Sequence, residues 1–360
     1  MAEEEAFLLK EEDEGTRTSV PTQLMKLKRN QWWILVFISI FFLIFAQAIA
    51  VLLGRFYYNE GGNSKWISTL VQTGGFPILY LPLYLLPTSH SSSSSSSSFT
   101  NLFWIYLSLG LAIGLDNLLY SFGLLYLSAS TYSLLCASQL AFNGVFSYYI
   151  NSQKITFYIF FSVLLLSVSA VLISLDDYSD RPFGDSKWSY MIGCFCTVVA
   201  SLIYSLKVSL TQFSFENIIK NETFSMVLEM QIYTSLVASC VAVTGLFASG
   251  EWKLLSSEME KFKEGQVVYV LTLVGSAVSW QFGSLGSLAL IFLVSSLFSN
   301  LIGTLSLIVT PVAAIAVFHD KLTEVKMVVM VIAFTGFGFY IYQNYLDDLK
   351  VQRARDAQAS

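Results

Sequence analysis

The sequence predicts an all-α polytopic membrane protein: ten transmembrane helices arranged as two inverted five-helix repeats. Three observations predict it. Of 360 residues, 54% are hydrophobic and 12% are charged, about half the charged share of an ordinary soluble domain. Apolar runs of about 20 residues recur, the length that crosses a hydrocarbon layer about 30 Å thick. The second half of the chain also repeats the polar breaks of the first.

The elements follow in order. Residues 1–30 carry seven acids in the first 14 positions, then Lys26, Lys28 and Arg29. So polar a tail buries no core and reads as disordered. Its "EEAFLL" resembles an acidic dileucine sorting signal ending at Leu8-Leu9. The first span, 32–54, lies behind this polar stretch, so it is not a cleavable signal peptide. The second span, 66–86, contains Gly74, Gly75, Pro77 and Pro82. Broken helices of this kind line sites in transporters and equally serve packing. A Ser-rich loop, 87–100, with a serine run at 91–98, is a low-complexity linker. Spans 102–125, 130–150 and 155–175 complete a first repeat, 31–175. The second repeat, 176–348, holds spans 189–211, 226–248, 266–289, 293–317 (with Pro311) and 324–345, followed by a tail, 349–360.

Two pairs of spans are separated by almost nothing, so the count rests on the repeat. Leu124–Thr156 laid over Ile291–Thr323 sets "LLYLSAS" against "IFLVSSL", Lys154 against Lys321 and Thr156 against Thr323. Two halves with an odd number of spans are inverted relative to one another, an arrangement common in secondary transporters. Basic flanks at Lys26, Lys28, Arg29 and at Lys350, Arg353, Arg355 put both termini in the cytosol. The Asn221-Glu222-Thr223 sequon then faces the cytosol and stays unglycosylated.

Composition excludes several function classes. Cys136, Cys194, Cys196 and Cys240 all sit in apolar runs, unlike a disulfide framework. Cys194 and Cys196 point in different directions on a helix, and the two histidines, His90 and His319, read as loop residues. No metal site, no cofactor motif and no catalytic constellation is present, so the chain does not read as an enzyme. No basic stripe invites nucleic acid. Oligomeric state is not legible.

The informative residues are polar ones inside apolar runs. Asp116 lies in "GLDNLLYSFG" within the third span. A carboxylate at bilayer depth costs roughly 2.5–3.5 kcal/mol on insertion scales, and such groups mark ion or proton paths or join helices. Proton coupling is thus the functional reading for Asp116, and an interhelical hydrogen bond the structural one. Tyr120 shares its helix face at i+4, and Asn117 is adjacent. In the fourth span Gln139 and Asn143 stand at i, i+4. Carboxamides offer a donor beside an acceptor, which suits the edge of a heterocyclic base as Asn and Gln suit adenine. They also serve as interhelical glue, about 0.6 kcal/mol per bond. Trp280-Gln281 pairs a stacking ring with an amide in the eighth span. Gln47, Gln72, Lys207, Glu229, Gln231 and Asn300 complete the intrusions. Lys207 and Glu229 fall near the same predicted end of consecutive spans, where an ion pair and a gating or proton-coupling role for Glu229 are both open.

Four blocks, "LGRFYYNEGGNSKW" (53–66), "QTGGFPILYLPLYLLP" (72–87), "LDNLLYSFGLLYLSASTYSLLCASQLAFN" (115–143) and "YYINSQKIT" (148–156), resemble the plant purine permease family of the drug/metabolite transporter superfamily. The similarity covers about residues 30–348. "SASTYS" departs from the family pattern, which often has proline near Ala129. The resemblance implies a ten-helix, proton-driven importer of purine bases and related rings, including adenine, cytokinins and nucleosides, with relatives that carry alkaloids or vitamin-like rings. It implies a plasma membrane location; the dileucine-like stretch keeps the vacuolar membrane open. The expected partners are a purine-like small molecule, protons and membrane lipid. In this reading the base sits between the halves. Aromatic rings and Tyr120, Trp280, Gln281 and Asn300 surround it, Asn117, Gln139 and Asn143 read its edge, and Asp116, with Glu229, carries the proton. A nucleotide-sugar exchanger would need more cavity cations than Lys207, and a receptor would bind without accumulating its ligand.

Overall fold

The structure is a computed structural model that describes residues 29–85, 99–152, 156–175, 187–219, 224–318 and 323–359. The acidic tail with Leu8-Leu9, the serine run 91–98, His90, Lys154, the Asn221 sequon, His319 and Lys321 lie outside the described residues.

Every described element is helical. Helix α1 (Arg29–Phe41) continues through a π-helical turn (Phe42–Ala46) into α2 (Gln47–Asn59). Next come α3 (Lys65–Thr73), a 3₁₀ turn (Phe76–Leu79), α4 (Tyr80–Leu85), α5 (Phe99–Tyr126), α6 (Ala129–Cys136), α7 (Gln139–Ile150) and α8 (Phe157–Leu175). The second part runs α9 (Lys187–Phe213) with a π turn (Ser214–Ile219), α10 (Phe224–Ser249), a 3₁₀ turn (Glu251–Leu254), α11 (Leu255–Lys261), α12 (Gln266–Leu293), α13 (Ser296–Phe318) and α14 (Glu324–Ala359).

Six segments among the described residues are long and apolar enough to cross a bilayer: Gln31–Asn59, Thr100–Tyr126, Trp188–Ile219, Phe224–Ser249, Gln266–Leu293 and Glu324–Gln343. Large apolar side chains such as Phe37, Leu81, Phe157 and Phe195 are exposed on the outer faces. In water such a surface would aggregate; in lipid it is the expected exterior. The chain is a polytopic membrane protein.

Two of the remaining expected spans are broken helices, which a length rule passes over. Stretch 65–85 breaks where Pro77 removes the N–H that Thr73 would accept from in a continuous helix. Gln281 Nε2 takes its place, donating to Thr73 O at 2.7 Å. Gly75 permits the approach: a β-carbon there would lie 2.6 Å from Ala277 O and 2.8 Å from Gln281 Cγ. The break at Ala137–Ser138, between α6 and α7, has neither proline nor glycine. Pro311, by contrast, does not interrupt α13.

The packing is reciprocal. Helix α5 packs on α9 and α10, while α12 packs on α2 and α3; α9 packs on α7, while α13 packs on α2. Helices α3 and α10, α7 and α13, and α8 and α14 pair directly. Close contact of α5 with α10 depends on small residues in "GLAIG" (110–114): a Gly110 β-carbon would meet Val237 Cβ at 2.5 Å, and one at Gly114 would meet Val241 at 3.1 Å. Small-xxx-small faces let membrane helices approach this closely.

At one end, 250–265 grips the turn between α2 and α3. Glu251 accepts from Ser64 Oγ (2.6 Å) and Trp66 N (3.3 Å) and lies 3.7 Å from Lys65 Nζ. Lys263 donates to Asn59 O at 2.7 Å. Buried Glu258 accepts from Tyr57 and Tyr269. Beneath this clasp lies an apolar cluster with Tyr57, Tyr58, Leu124, Leu127 and Tyr132; toward the other end lies a second, with Leu109, Val208, Met230 and Ile291.

Candidate functional site

Between the two clusters lies a cavity of about 110 Å³. One water needs roughly 10–15 Å³ of such space, so there is room for several waters or one small planar ring. Its walls come from both parts of the chain. Along α5, Leu109, Ile113, Asp116 and Tyr120 form a stripe at helical spacing, and along α12 Trp280, Ser284, Ser287 and Ile291 form another. Gln47, the first residue of α2 after the π turn, also lines the cavity. Ser306 Oγ donates to Ile44 O within that turn at 2.8 Å.

Asp116 is 1% exposed, and its Oδ1 has no hydrogen-bond partner. Burying an acceptor without a partner costs about 1–3 kcal/mol, so this carboxyl is not interhelical glue. Lys207, from α9, faces the same cavity, half-buried, with its ammonium 4.1 Å from the centre of the Tyr204 ring. No ion pair within 4 Å joins Lys207 to Asp116 among the described residues. Tyr120 packs edge-on against Tyr132, centroids 5.8 Å apart, with its hydroxyl 3.4 Å from Ser201 Oγ. These two rings, Tyr204 and Trp280 supply aromatic surface.

Of the residues expected at a site, Asp116, Asn117, Tyr120, Gln139 and Trp280 converge on the cavity. Gln139 opens α7 just after the break; its carbonyl accepts from Ser205 Oγ at 2.6 Å, while its Nε2 is unpartnered. Asn143, Gln281, Asn300 and Glu229 do not line the cavity. Asn143 Oδ1 accepts from Ser209 at 2.9 Å, Gln281 is occupied by the proline break, and Asn300 Nδ2 donates to Gln139 O at 3.2 Å. Glu229 accepts from Ser225 Oγ at 3.2 Å and forms no ion pair with Lys207 among the described residues. Four of the other polar intrusions, Gln47, Gln72, Lys207 and Gln231, do line the cavity. Tyr132, Tyr204 and Cys136 join them without any sequence signal, because rings and small apolar residues are common everywhere in this chain.

Residues 34–350 match a family model described as purine nucleobase transmembrane transport. The chain is 85% identical over its full length, and that of the relative, to an Arabidopsis thaliana protein named "Probable purine permease 13". It is 62% identical to "Probable purine permease 11" of the same plant, over 99% of this chain and 94% of the relative. To "Purine permease 21", also of Arabidopsis thaliana, it is 47% identical over 96% of this chain and 90% of the relative.

Proposed function

The chain belongs to the purine nucleobase transmembrane transport family, a family of transporters rather than enzymes, and on that premise we propose that it imports purine bases and related heterocycles in symport with protons. The cargo class in this reading is adenine, cytokinins and nucleosides, carried by alternating access across the plasma membrane.

The observation that carries the proposal is Asp116: a buried carboxyl with an unpartnered oxygen in a ring-lined cavity between two helix sets. Ten spans in two inverted halves would put that cavity on the axis about which they rock. The reciprocal packing supports this, since exchanging the halves maps the principal helix contacts onto one another. The 167-residue offset also pairs Ile113, Asn117 and Tyr120 with Trp280, Ser284 and Ser287, and all six line the cavity. It pairs Ser128, which caps α6 by accepting from Thr131 N at 3.3 Å, with Ser295, which caps α13 by accepting from Phe298 N at 3.1 Å.

In the proposed cycle Asp116 takes a proton from the acidic side, the base enters with its faces against the rings, the halves rock, and base and proton leave together. A proton gains about 2.3 kcal/mol per 100 mV and about 1.4 kcal/mol per pH unit. Their sum corresponds to accumulation of several hundredfold.

The test is labelled adenine uptake into proteoliposomes. Uptake should acidify the lumen, rise with an imposed proton gradient, and be lost in Asp116→Asn. Uptake indifferent to the gradient overturns the coupling; no purine uptake under any gradient overturns the cargo.

A further inference from the structure

Resting on the reading of this cavity as a purine site, we infer that Lys207 sets ligand choice and that the cavity prefers a planar base with a carbonyl oxygen on its edge, a 6-oxopurine, to one with an amino group there.

The argument starts from what the walls leave unmet. As an ammonium, Lys207 Nζ carries three N–H donors, yet among the described residues it has no hydrogen-bond acceptor and no ion pair. Its one partner is the face of Tyr204. Gln139 Nε2 is a second donor without an acceptor, and Asp116 Oδ1 is an acceptor without a donor. All three residues line one cavity. The carboxamides discriminate poorly, because each presents an acceptor as readily as a donor. A lysine can only donate, so at that wall a ligand must bring an acceptor.

A 6-oxopurine edge meets these needs. Its carbonyl oxygen and neighbouring ring nitrogen are acceptors, the pair that lysine and arginine read on guanine, and its ring N–H is a donor for Asp116. Asp116 keeps an accepting oxygen whether its carboxyl is ionised or protonated, so the match survives proton loading. Once Asp116 is neutral, Lys207 holds the net charge of the pair, and an adenine-type amino group turned toward it would set donor against donor. No ion pair within 4 Å joins the two side chains, and both line the cavity the edge would enter.

The experiment is competition in proteoliposomes holding the full chain. Unlabelled hypoxanthine, guanine and adenine compete with labelled hypoxanthine and, separately, with labelled adenine. The expected result is that the two oxopurines compete about tenfold or more better than adenine, that Lys207→Arg keeps the order, and that Lys207→Gln brings the three bases within about threefold. Adenine competing best in the unaltered protein overturns the inference, as does an unchanged order in a Lys207→Gln chain that still transports. Should Lys207→Gln fail to reach the membrane, the unaltered protein and Lys207→Arg decide alone. Failure of all three bases to compete or enter instead removes the purine reading itself.

Discussion

Tyr57 donates its hydroxyl hydrogen to Glu258 at 2.5 Å, across 201 positions of sequence. Tyr269 donates to the same carboxylate oxygen at 3.1 Å. The two phenols hold α11 over the ends of α2 and α12, on the cavity's tyrosine-rich side. Hydrogen bonds to a charged group contribute about 1.5–3 kcal/mol each. Tyr57→Phe should therefore shift the protein toward a state in which that face is open. In a chain where Cys136 is the sole cysteine, a membrane-impermeant thiol reagent applied to the clasp-bearing face should label the cavity roughly tenfold faster than in the Tyr57 parent. An unchanged labelling rate means the clasp is a brace and not a gate.

Cys136 also reports on the ligand. It is buried, lines the cavity and stands one break away from Gln139. Alkylating it should block uptake, and saturating purine should slow the alkylation. If purine leaves the rate unchanged, the ligand sits elsewhere.

Gln139 and Gln281 should separate cleanly on mutation. Gln281→Leu strands the Thr73 carbonyl beside Pro77, so it should lower stability by about 1–3 kcal/mol, read as an earlier melt in detergent, with KM little changed. Gln139→Leu removes an unpartnered cavity donor, so it should raise KM and leave the melt nearly in place. The reverse pattern would exchange their roles.

Gly110 and Gly114 differ in tolerance. A β-carbon at Gly110 would lie 2.9 Å from the carbonyl of Thr234, backbone that cannot rotate aside. Gly110→Ala should cost roughly 1–3 kcal/mol as overpacking and, because Thr234 lines the cavity, disturb uptake too. Gly114→Ala, 3.1 Å from a valine side chain, should be milder. Yield of folded protein after solubilisation measures both.

Hydropathy revealed the apolar helices, because length and greasiness are what the bilayer selects. It did not reveal α11, whose charges interleave in "EWKLLSSEMEKFKEG" and read as loop. Nor did it reveal the break at Ala137–Ser138, where neither proline nor glycine punctuates the chain. For the site, a polar residue in an apolar run says that something must satisfy it, not which way it points. Asn300 and Gln281 carry the same signal as Gln139, yet they turn into helix contacts. Helices covered by lipid on one side and apolar neighbours on the other have almost no amphipathic phase, so facing has to come from coordinates. Lys207 and Glu229 share only their distance from a helix end, and that distance does not fix azimuth.

The π turn at Phe42–Ala46 absorbs one residue without turning the helix beyond it. A helix advances about 100° per residue, and a π turn accommodates its extra residue as a local widening. Deleting one of those five phenylalanine, leucine, isoleucine or alanine residues would close the turn into an ordinary ladder and leave Gln47 and Val51 facing the cavity, whereas deleting a residue from the regular helix beside it would swing them by about 100°. The first span thus carries one amino acid that its phase does not need, and a one-codon deletion there would be read as a shortening rather than a rotation.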